Sequence, residues 1–125
     1  MTIQRIKKMS KMSEVSVKVE LDENQVPVEI KWSATDVKDQ GERTSKAMMM
    51  AMWDKEEENS LRMDLWTTEM TIDEMKKFYH QSFSAMADSF ERSTGEDGMS
   101  EAIRDFAAFF GEKLGILPPS GRFDR

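Results

Sequence analysis

From Val15 onward the chain alternates. Val15, Val17, Val19 and Leu21 fall on one side of an extended backbone and Ser16, Lys18 and Glu20 on the other, which is the two-residue period of a half-buried strand. The polar run Asp22, Glu23, Asn24 and Gln25 turns the chain, after which Val28, Ile30, Trp32 and Ala34 alternate with Glu29, Lys31 and Ser33. The two segments predict an antiparallel hairpin. After a polar loop over residues 35–43, every position of residues 47–53 is apolar. The reading is a third strand, central in its sheet and covered on both faces. A charged turn over residues 54–59 leads to a fourth strand, where Leu61, Met63 and Leu65 alternate with Arg62, Asp64 and Trp66. Four consecutive strands with short connections predict an antiparallel meander.

The period then changes from two to 3.6. Thr71 followed by Glu74 is a capping box, with Asp73 and Glu74 in the first turn, where the helix dipole favours negative charge. Ile72, Met75, Tyr79, Phe83, Met86 and Phe90 recur at spacings of three and four and predict one long amphipathic helix. Gly95 and Gly98 interrupt it. A second helix begins with Asp97 or Ser100 as N-cap, and Ile103, Phe106, Ala107, Phe110 and Leu114 form its buried face. Its end is marked by Lys113, by Gly115 in the left-handed position, by Ile116 and by Pro118 and Pro119. The fold class is therefore α+β: a four-stranded antiparallel meander sheet followed by two helices packed on one face. The expected organisation is a disordered basic leader over residues 1–12, a single domain over 13–118 and a flexible tail over 119–125.

Composition adds exclusions. The 125 residues hold no cysteine and one histidine, so disulfides, thiolate metal sites and cysteine nucleophiles are absent. The net charge of -6 argues against binding to phosphate backbones, and no nucleic-acid partner is expected. Arg5, Lys7, Lys8 and Lys11 occur with no acid before Glu14, so the rest of the chain is more acidic still. No apolar run long enough for a signal sequence or a membrane span follows this basic start, and Met9 and Met12 are further candidate start sites. The expectation is a cytoplasmic protein without membrane insertion.

The unusual count is methionine, at 12 residues. Met48, Met50 and Met52 share one face of the third strand. Thioethers in such an array can select Cu(I), yet no histidine or cysteine accompanies them, and no metal or other cofactor is expected. If both helices cover one side of the sheet, these three methionines and Trp66 form an apolar island on the other, charged side. Patches of that kind mark interaction sites, and methionine suits adaptable recognition. Met48, Met50, Met52 and Trp66 are thus the candidate partner or dimer surface, the alternative being cover by a loop, the tail or a helix of the same chain. His80 has Lys76, Lys77, Phe83 and Ser84 as helical neighbours, no set for zinc or a triad. Asp54, Glu56, Glu57 and Glu58 read as a solvated turn. No phosphate-binding glycine loop or nucleophile elbow is present, so no catalytic residue is assigned and the chain is read as a non-enzyme.

Three stretches carry a resemblance to a known family. Residues 61–95, LRMDLWTTEMTIDEMKKFYHQSFSAMADSFERSTG, residues 104–117, RDFAAFFGEKLGIL, and the hairpin SEVSVKVELDENQVPVEIKW are together similar to the gliding motility protein GldC family. The likeness spans residues 12–117 and is a whole-domain one with no active site to carry over. It implies a small soluble accessory protein of gliding bacteria, whose adhesins are moved by a motor associated with the type IX secretion system. The resemblance thus implies a non-enzymatic role in gliding motility through protein–protein interaction, with a component of the gliding machinery or a self-associated dimer as partner. The rival expectation is a small acidic secretion or assembly chaperone that binds a client segment.

Overall fold

The computed structural model describes residues 11–35 and 41–124. The expected disordered leader lies, over residues 1–10, outside the described residues. The chain divides into two compact units, one ending at Met70 and one starting at Thr71.

The first unit holds five strands, β1 (Val15–Leu21), β2 (Pro27–Ala34), β3 (Arg43–Ser45), β4 (Ala47–Trp53) and β5 (Ser60–Trp66). The β1-β2 hairpin forms as its alternation predicts. Its turn is held by the Asp22 carboxylate, which accepts from the backbone N–H groups of Asn24 and Val26 at 2.8 and 3.0 Å, an Asx-type closure. Val17 pairs with Trp32 and Val19 with Ile30, so the apolar sets of both strands share a face, and Ile30 is buried.

The single four-stranded meander is replaced by two antiparallel sheets, β1-β2-β3 and β4-β5. Arg43, assigned to a loop by its polar surroundings, already pairs with Trp32. The backbone bends at Lys46, which separates the β2 ladder from the β5 ladder. The Lys46 carbonyl accepts instead from the backbone N–H and the hydroxyl of Thr67, both at 2.8 Å. The Thr68 N–H donates to the Pro27 carbonyl at 3.2 Å, tying the end of β5 to the start of β2. β4 is thus one half of a two-stranded ribbon rather than a central strand, and Ala51, Met52 and Trp53 are exposed. Its apolar sequence on both faces does not report burial on both.

The second unit contains α1 (Ile72–Thr94) and α2 (Asp97–Lys113). The capping box is present in both directions, the Glu74 N–H donating to the Thr71 hydroxyl and the Thr71 N–H to the Glu74 carboxylate, each at 3.1 Å. α1 ends at Gly95 with φ 72. Neither Asp97 nor Ser100 caps α2: the N-cap is Glu96, without a side-chain bond. Asp97 lies in the first turn, while Ser100 is buried and donates to the Glu96 carbonyl at 2.9 Å. At the other end the Gly115 N–H reaches the Glu112 carbonyl and the Ile116 N–H the Gly111 carbonyl, the Schellman closure that the sequence signals predict.

The helices pack through Phe83, whose ring meets Phe106 and Phe110 edge-on at 5.3 and 5.2 Å, a favoured aromatic geometry. Gly111 permits the close approach beside them: a Cβ there would stand 2.8 Å from Leu117 and 2.9 Å from His80. Arg104 joins the helices, bonding Asp88 and Glu91 of α1 and Glu101 of α2. Three carboxylates push its guanidinium pKa further up. The residues expected to form a loose tail make contacts along α2. Ser120 bonds the Glu112 carboxylate, Arg122 pairs with Asp105 at 2.7 Å, and Phe123 meets Phe109 edge-on.

Candidate functional site

The ribbon is set by its turn. The Asp54 carboxylate accepts from the backbone N–H groups of Glu56 and Glu57 at 3.1 and 2.7 Å, and the Asp54 N–H donates to Asn59. Glu58 closes the turn in a left-handed conformation, φ 54. The resulting register opposes Met48 to Leu65, Met50 to Met63 and Met52 to Leu61. Directly opposed residues of an antiparallel pair share a face, so these six side chains make one wholly apolar surface.

Trp66 is not part of it. It pairs with Ala47 and lies on the other face, with Met49, Ala51, Trp53, Arg62 and Asp64. Arg62 and Asp64 form an ion pair there at 2.9 Å. The sequence expectation that Trp66 stands beside Met48, Met50 and Met52 is therefore corrected by the register, while the three methionines do share one face. Leu61, Met63 and Leu65, assigned to the opposite side by sequence reasoning, are their true neighbours. The signal available was pattern matching: an all-apolar row on one strand stands opposite an all-apolar row on the next.

Exposure varies along this surface. Met48, Met50 and Leu65 are half-buried, whereas Met52, Leu61 and Met63 are 60%, 53% and 49% exposed. The exposed end adjoins the acidic turn carrying Asp54, Glu56, Glu57 and Glu58. The arrangement can accept apolar side chains onto flexible thioethers, and the adjoining carboxylates give one rim of the row a negative charge.

His80 is half-buried against Gly111 and lines a shallow groove with Ser84, Asp88, Arg104 and Leu117. Asp88 is already engaged by Arg104, so the groove does not present a carboxylate and imidazole poised together. Among the described residues no three histidine, aspartate or glutamate side chains converge on a metal position, and no helix is long and apolar enough to cross a membrane.

A family model described as gliding motility-associated protein GldC-like matches residues 27–116. No curated protein and no solved structure matches the chain.

Proposed function

The chain belongs to the GldC-like family of gliding motility-associated proteins, and from that premise we propose that it is a non-enzymatic, cytoplasmic accessory protein that binds a protein of the gliding machinery through the methionine face of β4-β5. The observation that carries this reading is the row Met52, Leu61 and Met63, contiguous, apolar and each about half exposed or more. Exposed apolar rows cost solubility and are kept where a partner covers them. The acidic turn beside the row suits a partner segment that is apolar at its centre and bears Lys or Arg at one end. A chaperone role rests on the same methionines, since thioethers repack against different client side chains. Client release on folding separates it from a lasting assembly.

The test is site-specific photo-crosslinking in gliding cells, with the crosslinker at Met52 or Met63 and, as control, at Trp53 on the opposite face. The expected result is one gliding-machinery protein captured from the first two positions and not from the third. Equal capture from both faces, or unimpaired gliding in a Met52→Asp/Met63→Asp variant, overturns the assignment.

A further inference from the structure

Two backbone contacts fix which groups of β1 face its open side. The Glu14 carbonyl accepts from the Thr35 N–H at 3.0 Å, and the Asp22 N–H donates to the Val26 carbonyl at 2.9 Å. The even positions of β1 therefore address β2, and alternation turns the N–H and C=O groups of Val15, Val17 and Val19 outward. β1 ends the order β1-β2-β3 and contains no proline or glycine, so among the described residues it presents an open ladder, regular as far as Glu20, after which its pairing with β2 shifts. Its side chains are equally incomplete. Val15 is 73% exposed, and Val17 and Leu21 are more than a third exposed. On the polar face Lys18 stands opposite Lys31 and Glu20 opposite Glu29, like charges that repel. Lys18 is offset by Glu42 at 3.3 Å and Lys31 by Glu29 at 3.6 Å. Glu20 has no cation among the described residues.

We propose that β1 pairs antiparallel with β1 of a second copy of this chain, about a two-fold axis through Val19, joining two three-stranded sheets into one of six strands. In this register Lys18 of each copy faces Glu20 of the other, supplying the missing cation twice, and Val17 faces Leu21. Centring the axis on Lys18 instead would oppose that lysine to itself, so charge selects the Val19 register. The interface is closed and isologous, and it is independent of the role proposed for β4-β5.

Sedimentation equilibrium on the full chain tests this, with far-UV circular dichroism to verify folding. The expected species is a dimer, twice the 14.5 kDa chain mass. Lys18→Glu or Glu20→Lys alone places like charges together at two symmetric positions and weakens association about tenfold or more. The combined swap restores opposite charges across the axis and returns association to within about fivefold of the parent, the shortfall coming from Glu42. Val17→Pro removes an outward N–H while sparing the β1-β2 ladder, and abolishes the dimer. Should that variant unfold, the charge series still decides. A monomer throughout the sub-millimolar range overturns the proposal, as does a dimer indifferent to both single reversals or one that the combined swap fails to restore.

Discussion

Met50 and Met63 are direct cross-strand partners at the middle of the β4-β5 ribbon, flanked on the same face by Met52 and Leu61 on one side and by Met48 and Leu65 on the other. The pair sets two unbranched thioethers opposite one another. It makes the row adaptable in shape while the backbone register holds its position.

Stability and binding should therefore separate on this face. Met52→Glu and Met63→Glu, at exposed positions, are expected to change unfolding free energy by less than about 1 kcal/mol. Both should nevertheless depress crosslinking yield and gliding speed, whereas Trp53→Ser on the opposite face should leave both near wild type. Urea titration and cell tracking measure the two halves.

Gly111 and Gly98 make a matched pair within α2. A methyl group at Gly111 meets Leu117 and His80 inside normal contact distance, while at Gly98 it meets nothing within 4 Å. Alanine is favoured over glycine in helices by about 1 kcal/mol, and overpacking costs about 1–3 kcal/mol. Gly98→Ala is expected to raise the melting temperature and Gly111→Ala to lower it. Equal shifts would mean that the His80–Gly111–Leu117 contact is not tight.

Arg104 is the cation among Asp88, Glu91 and Glu101. Arg104→Ala removes the charge that joins α1 to α2 and leaves three carboxylates near one another. The melting temperature should fall, and the deficit should narrow in 1 M salt, where repulsion is screened to about 3 Å. Scanning calorimetry at two ionic strengths is sufficient. A deficit independent of salt would assign the loss to packing of the arginine stem.

Deleting residues 120–125 removes the Ser120–Glu112 bonds, the Arg122–Asp105 pair and the Phe123–Phe109 contact together. The expected loss is about 1–2 kcal/mol, mostly from the aromatic pair, since exposed ion pairs contribute little. Phe123→Ala alone should reproduce most of it in urea denaturation.

Local chemistry made much of this molecule legible from its residues. The Asp22 turn of the hairpin, the Thr71–Glu74 box and the Gly115 closure each depend on fewer than ten consecutive residues, and all three form. What escaped was decided by partners distant in sequence. Nothing near Lys46 announces that the strand bends there, because the cause includes Thr67, 21 residues later. The face of Trp66 is not legible in its own strand, because alternation says which residues agree with one another and not which row of the neighbouring strand they meet. That depends on how many residues the Asp54 turn consumes. Asp97 and Ser100 are good caps by type, yet the left-handed Gly95 brings the chain into α2 one residue before Asp97.

The bend at Lys46 also separates two evolutionary freedoms. Upstream of it the strand is committed to β2, and downstream to β5 alone. Removing two residues from β4 and two from β5 would shorten the methionine row by one rung and keep every remaining side chain on its face, with β1, β2 and β3 untouched. Removing one from each at the Lys46 end would invert the rest of the ribbon, presenting Met49, Ala51 and Trp53 with the Arg62–Asp64 pair where the methionine row had been. The reach of this surface can thus be tuned in steps of two residues per strand, and its identity exchanged in steps of one.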